Sequence, residues 1–353
     1  VEILRVDERK PNPRMIEMAR KASGQTQKAL SEMLGIAQGQ LSKIEKGLSS
    51  PDEATLNALS QALMRPLSFF YKDEYMRPTT TALHRKKQSS SKKQEDQLIA
   101  FANIVRMSVD SLLDAFELHG NVPRLDLDDY HGDPARVAKA IRYYWKMPMG
   151  PIQNLYQLLE DKGIFIFEFD FGTTKMDAFT LTGSTVPVIM LNKVFPLDRK
   201  RRTLAHELGH IVMHDLPGDN VEKEADLFAN EFLLPEQDIR EDLYRLNLKK
   251  AGMLKPWWRA SMMSLIVRAR ELDIISDRSY KSLCVQMSRS GYRKVEPVAL
   301  EQNNEKPTLF HDLIESHVKE LGYSLESLSE ITSLSTDEIF LLSRYRKGLH
   351  LAL

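Results

Sequence analysis

Apolar positions recur at helical spacing through most of the chain and at strand spacing in one short window. Over residues 11–70, Ile16, Ala19 and Ala22 share a face of a segment that Pro13-Arg14 opens and Gly24 stops. Thr26 caps a second helix, Gln27 to Leu34, closed by Gly35. A third runs from Gln38 to Lys46 and ends at Gly47, and Pro51-Asp52 opens a fourth carrying Leu56, Leu59 and Leu63. Residues 76–95 lose this periodicity, and their Thr, Ser and basic residues read as a linker, a solvated hinge in preference to the alternative that its Lys and Arg touch DNA phosphates. From Glu95 a long amphipathic helix carries Ile99, Ile104, Val105, Val109, Leu112 and Leu113, followed by helices over 134–145 and 152–162. Then the period shortens: 163–169, 178–182 and 186–192 read as strands, before helices resume at Arg201. The pattern predicts a mainly α chain with a small β-sheet, and 353 residues suggest two to three domains.

Composition changes this picture little; charge and cysteine change it more. Formal net charge is zero, yet residues 1–95 carry 17 Lys and Arg against 11 Asp and Glu. A basic N-terminal module on a mildly acidic body suits DNA binding. The single cysteine, Cys284, excludes an internal disulfide and zinc-finger chemistry, and is expected to be a small buried hydrophobe. No apolar run is long enough to span a membrane and the first residues do not resemble a signal peptide, so the expectation is a cytoplasmic protein with no membrane partner.

The chemistry concentrates at His206-Glu207-Leu208-Gly209-His210, an H-E-x-x-H pattern inside a helical run. Residues four apart lie one above the other on a helix, so both imidazoles can grip one cation while Glu207 acts on water as general base. Glu222, the first residue of an E-x-x-A-D pattern on the next helix (Val221 to Leu234), is the expected third ligand. Asp226 is placed one turn on, where it can accept a hydrogen bond from a ligand histidine. Glu224 is a rival ligand, although it points away from Glu222 around the helix. His214 continues the i, i+4 series and is expected to cap or pack against the helix end. Leu216 stands where a metzincin would place its third histidine, so that arrangement fails.

Two resemblances follow from these residues. Gln25 to Ile36, followed by Leu41-Ser42-Lys43-Ile44-Glu45-Lys46-Gly47 and Pro51, resembles the phage-repressor (Cro/XRE) helix-turn-helix family. It implies that Ala29 packs where the two helices cross and that Leu41 and Ile44 are core. It also implies that Gln38, Gly39, Gln40 and Lys43 face the major groove and that Gln27 contacts the DNA backbone. Asn192, Arg201 to Ala205, His206 to His210, Glu222-x-x-Ala225-Asp226 and Leu233-Leu234-Pro235 resemble the ImmA/IrrE metallopeptidases, as do later matches from Trp257 to Pro297. One departure is that Arg202 directly precedes Thr203, without the aromatic often found between them. The resemblance implies a zincin-like α+β unit over 96–300, after an all-α helix-turn-helix domain over 1–75 and the linker 76–95. A helical packing or dimerisation region over 301–353 echoes the helix-turn-helix pattern without its glycine. The implied cofactor is Zn²⁺, with Mn²⁺ or Fe²⁺ as alternatives. Operator DNA and a repressor-type protein substrate are the implied partners, with a homodimer as the expected assembly and stress-response or mobile-element genes as the expected target. The alternative is a transcription regulator whose metal domain senses a ligand or metal without proteolysis.

Overall fold

The structure is a computed structural model; it describes residues 10–77, 92–116, 120–181, 186–214, 218–297, 300 and 305–343. Helices α1 (Pro13–Ala22), α2 (Gln27–Leu34), α3 (Gln38–Glu45) and α4 (Glu53–Leu63) form the N-terminal bundle, followed by a tight turn over Leu67–Tyr71. Their starts are set by side-chain caps: Thr26 accepts from the Ala29 amide at 3.1 Å and Asp52 from the Thr55 amide at 2.8 Å. Gly35 closes α2 at φ 66°, where a Cβ would be strained.

Helix α5 (Lys92–Leu113) begins three residues before the expected Glu95, and 78–91 of the expected linker lie outside the described residues. The hinge reading is corrected at its ends. The Arg77 amide donates to Asn103 Oδ1 at 2.8 Å, and α1 packs along α5. Met15, Ile16, Leu59 and Phe69 share one buried cluster with Leu98, Ala102 and Val105. The N-terminal bundle is therefore docked through apolar surface.

Helices α6 (Pro134–Tyr144) and α7 (Leu155–Glu160) lead into a three-stranded sheet, β1 (Phe165–Phe169), β2 (Ala178–Leu181) and β3 (Val188–Asn192). Its order is β1-β3-β2, with β1 parallel and β2 antiparallel to β3, Phe165 opposite Val188 and Thr180 opposite Ile189. The sheet divides two cores. Period-two alternation sends Phe165, Phe167, Phe179, Leu181, Val188 and Met190 to the cluster shared with α5. Ile166, Ala178, Ile189 and Leu191 go to the opposite cluster. Each fully buried Phe or Ile contributes roughly 1.5–3 kcal/mol, so both faces demand covering.

On that second side lie α8 (Leu197–Met213), α9 (Val221–Leu233), the short α10 (Glu236–Ile239), α11 (Leu248–Trp258), α12 (Met262–Glu271) and α13 (Asp277–Arg289). Cys284 on α13 is only half-buried, against the expectation of a buried hydrophobe. Among the described residues no helix is long and apolar enough to cross a membrane.

The chain returns to the first core through α14 (Leu309–Lys319), α15 (Leu325–Thr332) and α16 (Thr336–Ser343). Helices α15 and α16 repeat the spacing of α2 and α3: eight residues, a three-residue turn, eight residues. Ser324 caps α15 as Thr26 caps α2, and Ser333 takes the left-handed turn position at φ 61° that Gly35 takes in the first unit. This second unit faces inward. Arg65 pairs with Glu338 and donates to the Ser333 carbonyl at 3.1 Å, and Ser108 donates to the Thr332 carbonyl at 2.5 Å.

Candidate metal centre and DNA-facing helix

Helix α8 crosses the sheet face and presents His206 and His210 one turn apart. Helix α9 packs beside it at close range. A Cβ built on Gly209 would lie 3.2 Å from Ala225 Cα and 3.2 Å from Phe228, so only glycine fits without displacement. That approach brings Glu222, in the first turn of α9, to the histidine pair.

The Nε2 atoms of His206 and His210 are 3.1 Å apart. Glu222 Oε2 lies 3.6 Å from His206 Nε2, and its Oε1 lies 3.4 Å from His210 Nε2. Donors bound tetrahedrally at about 2 Å stand about 3.3 Å from one another. The three side chains therefore fit a zinc-sized cation by spacing as well as by donor type.

The atoms facing away from this point are also engaged. Asp226 Oδ1 meets His206 Nδ1 at 2.9 Å, and Arg202 donates to the same oxygen at 2.8 Å. His210 Nδ1 meets His214 Nδ1 at 2.9 Å, and His214 Nε2 meets Glu224 Oε2 at 3.0 Å. One proton arrangement satisfies that chain with His210 Nε2 left as a lone-pair donor: His210 donates to His214, and His214 donates to Glu224. Glu224, the rival ligand, is turned to His214, and His214 bridges His210 and Glu224 rather than merely capping the helix.

Charge follows the same layout. Burial opposes protonation of His206, but hydrogen bonds with Asp226 and Glu222 and the nearby Glu207 charge outweigh it and lift its pKa to about 9. The His206 and His210 imidazoles beside it hold the Glu222 carboxyl well below the usual range. Burial raises the Asp226 pKa, but His206 and Arg202 overcome it and leave that carboxyl ionised to lower pH than usual.

Glu207 is buried, and the Thr180 hydroxyl on edge strand β2 donates to its Oε2 at 2.6 Å. Sequence reasoning missed Thr180: nothing local links a strand threonine to a helix 27 positions later. It also missed the pairing of His214 with Glu224 and the role of Arg202 beside Asp226. Neighbouring Arg201, in the same basic run, is instead fully buried and paired with Glu305.

In the N-terminal bundle Gln38, Gly39, Gln40 and Lys43 are exposed along α3, free to meet a groove. Gln27 is partly committed, donating to Glu45 Oε2 at 2.7 Å, where Arg20 also pairs with Glu45 at 2.5 Å. Leu41 and Ile44 are buried as expected. Ala29 is exposed, contrary to expectation, and Leu30 and Ser31 are the buried residues of α2, the Ser31 hydroxyl satisfied by the Lys28 carbonyl at 2.8 Å.

Comparison with known proteins agrees with both halves. Residues 159–270 match the family model of the IrrE N-terminal-like domain, a peptidase family, and residues 16–70 match a helix-turn-helix model of the Cro/XRE type. An uncharacterized HTH-type transcriptional regulator of Sinorhizobium medicae (strain WSM419) is 37% identical over 73 residues, 19% of this chain and 52% of that protein. One of Rhizobium meliloti (strain 1021) matches to the same extent. The chain thus spans about half the length of these relatives.

Proposed function

We propose that this chain, which joins a Cro/XRE-type helix-turn-helix to an IrrE-like peptidase domain, is a metal-dependent endopeptidase that acts under the guidance of its DNA-binding module. The observation that carries the reading is the convergence of His206, His210 and Glu222 within ligand spacing beside a buried Glu207. Those three residues would hold the cation, Zn²⁺ by donor type, with Mn²⁺ or Fe²⁺ as substitutes. A divalent cation there supplies a Lewis acid that acidifies water and polarises a carbonyl oxygen.

The chain's own residues do the rest. Glu207 takes the proton of the attacking water and passes it to the leaving amine. The Thr180 hydroxyl occupies one of its carboxylate oxygens and leaves the other to face the water. Asp226 with Arg202, and His214 with Glu224, fix the tautomers of the two ligand imidazoles. Strand β2 ends the sheet order, so an extended substrate segment can add along it as a further strand. The substrate class is a repressor-type protein. The DNA-binding form is a dimer reading two half-sites, with Gln38, Gly39, Gln40 and Lys43 at the bases and Gln27 at the backbone.

The test uses the purified chain with candidate repressors, with and without chelator. E207Q should retain metal and DNA binding yet lose cleavage by at least about a hundredfold; a variant that still cut would remove the general-base role. E222A should lose the metal itself. The second reading, a regulator that senses metal without proteolysis, draws on relatives named only as HTH-type regulators. It requires metal-dependent operator binding that E207Q leaves intact, with no cleavage by the wild type.

A further inference from the structure

A notch of about 480 Å³ opens where the N-terminal bundle meets the start of α5. Gln27, Lys28 and Gln38 line it from the helix-turn-helix, and Lys92, Lys93 and Asp96 line it from α5. Arg20 and Lys21 also border it but are engaged, Arg20 with Glu45 and Lys21 with Glu17 at 3.0 Å. Lys28, Lys92 and Lys93 are exposed, and none forms an ion pair among the described residues. One carboxylate, Asp96, therefore faces three uncompensated ammonium groups. The first turn of α2 adds the Gln27 and Lys28 backbone N–H groups, which have no acceptor within their own helix, that of Ala29 being taken by Thr26.

Placement decides the ligand. Gln38 opens the helix whose exposed residues face the DNA groove, so the notch lies on the DNA side of the bundle. The start of α5 is held there. A Cβ on Gly24, in the turn before α2, would lie 2.8 Å from the Gln97 side chain, and α1 and α5 share a buried core. Three ammonium groups and a helix N-terminus beside a recognition helix match a run of phosphates along a duplex.

We infer that Lys92 and Lys93 bind backbone phosphates of the DNA that α3 reads, with Lys28 as a third contact, so that the first turn of α5 belongs to the DNA interface. This rests on the proposal that DNA is the ligand of the N-terminal module. The contacts carry no sequence information; they fix where the peptidase body lies along the duplex.

The full chain is titrated with a fluorescently labelled duplex of about 24 base pairs and arbitrary sequence, from about 50 to about 300 mM KCl, by anisotropy. Each phosphate contact contributes about 0.9 to the slope of log K against log salt, so K92Q/K93Q should be shallower than wild type by about 1.8. K92R/K93R should restore the wild-type slope, and K281Q on α13 should leave it unchanged. A K92Q/K93Q slope equal to wild type overturns the inference while leaving DNA binding in place. Absence of salt-dependent binding by the wild type removes the DNA reading, and this inference with it.

Discussion

Two helix-turn-helix units of matching spacing sit at opposite ends of this chain, and only one is built to meet DNA. In the first, α3 exposes Gln38, Gln40 and Lys43. In the second, the corresponding positions are Thr336, Glu338 and Leu341, preceded by a turn whose Ser333 and Leu334 are buried. Glu338 pairs with Arg65 of the N-terminal bundle, so a position that α3 leaves open, that of Gln40, is tied down on α16, while Leu341 stays exposed. Backbone geometry alone does not confer recognition; the residues on the second helix and what covers them do.

That contrast can be broken most forcefully at this pair. E338A leaves the buried Arg65 guanidinium without its carboxylate, and a broken buried pair costs about 3–5 kcal/mol. Urea unfolding should show that loss; a change under about 1 kcal/mol would mean the pair is solvated.

A second experiment uses pH. Glu160 accepts the Thr308 and Leu309 amides at the start of α14, the helix that leads into the inward unit. Burial raises its pKa to about 7 against the opposing pull of those amides. A raised carboxyl binds its proton more tightly in the folded state. Its contribution to stability is therefore complete below about pH 4.5 and is lost as pH rises through about 7, on the order of 3 kcal/mol in all. E160Q should flatten the stability profile across that window, as read by thermal melts at stepped pH. An unchanged profile would place the titration elsewhere.

A smaller effect is expected where the outward unit docks. Gly24 has φ +70° and faces Gln97, so G24A should cost about 1–3 kcal/mol in the same assay. The smallest stability change belongs to Q40A/K43A, within about 0.5 kcal/mol, because neither residue is buried. Yet its affinity for an operator duplex should fall at least about tenfold. Stability and binding would then separate cleanly between the two units.

The legible parts of the molecule are those governed by local spacing. The helix of His206 and His210, the capped α2 and the three strands all follow from periods of 3.6 and 2 and from caps. Glu222 and Asp226 were readable because they share one helix turn with a recognisable pattern. What stayed hidden depends on packing between distant segments. Thr180 reaches Glu207 only because β2 lies against α8, and a polar stretch before α5 gave no sign that the bundle behind it was docked. The exposure of Ala29 has a different origin: the neighbouring Leu30 and Ser31 are buried instead, and a serine is small enough to be buried once its hydroxyl has a partner.

The bare backbone at Gly209 reaches further than its own contacts. Any wider residue there would act as a wedge between the two helices, and Glu222 would be carried outward with the helix that bears it. A roomier cage would hold a cation that needs bonds of about 2 Å less tightly. On the proposed zinc site, affinity would thus depend in part on a residue that touches neither ion nor substrate, and G209A should bind zinc more weakly than the wild type, as read by metal titration.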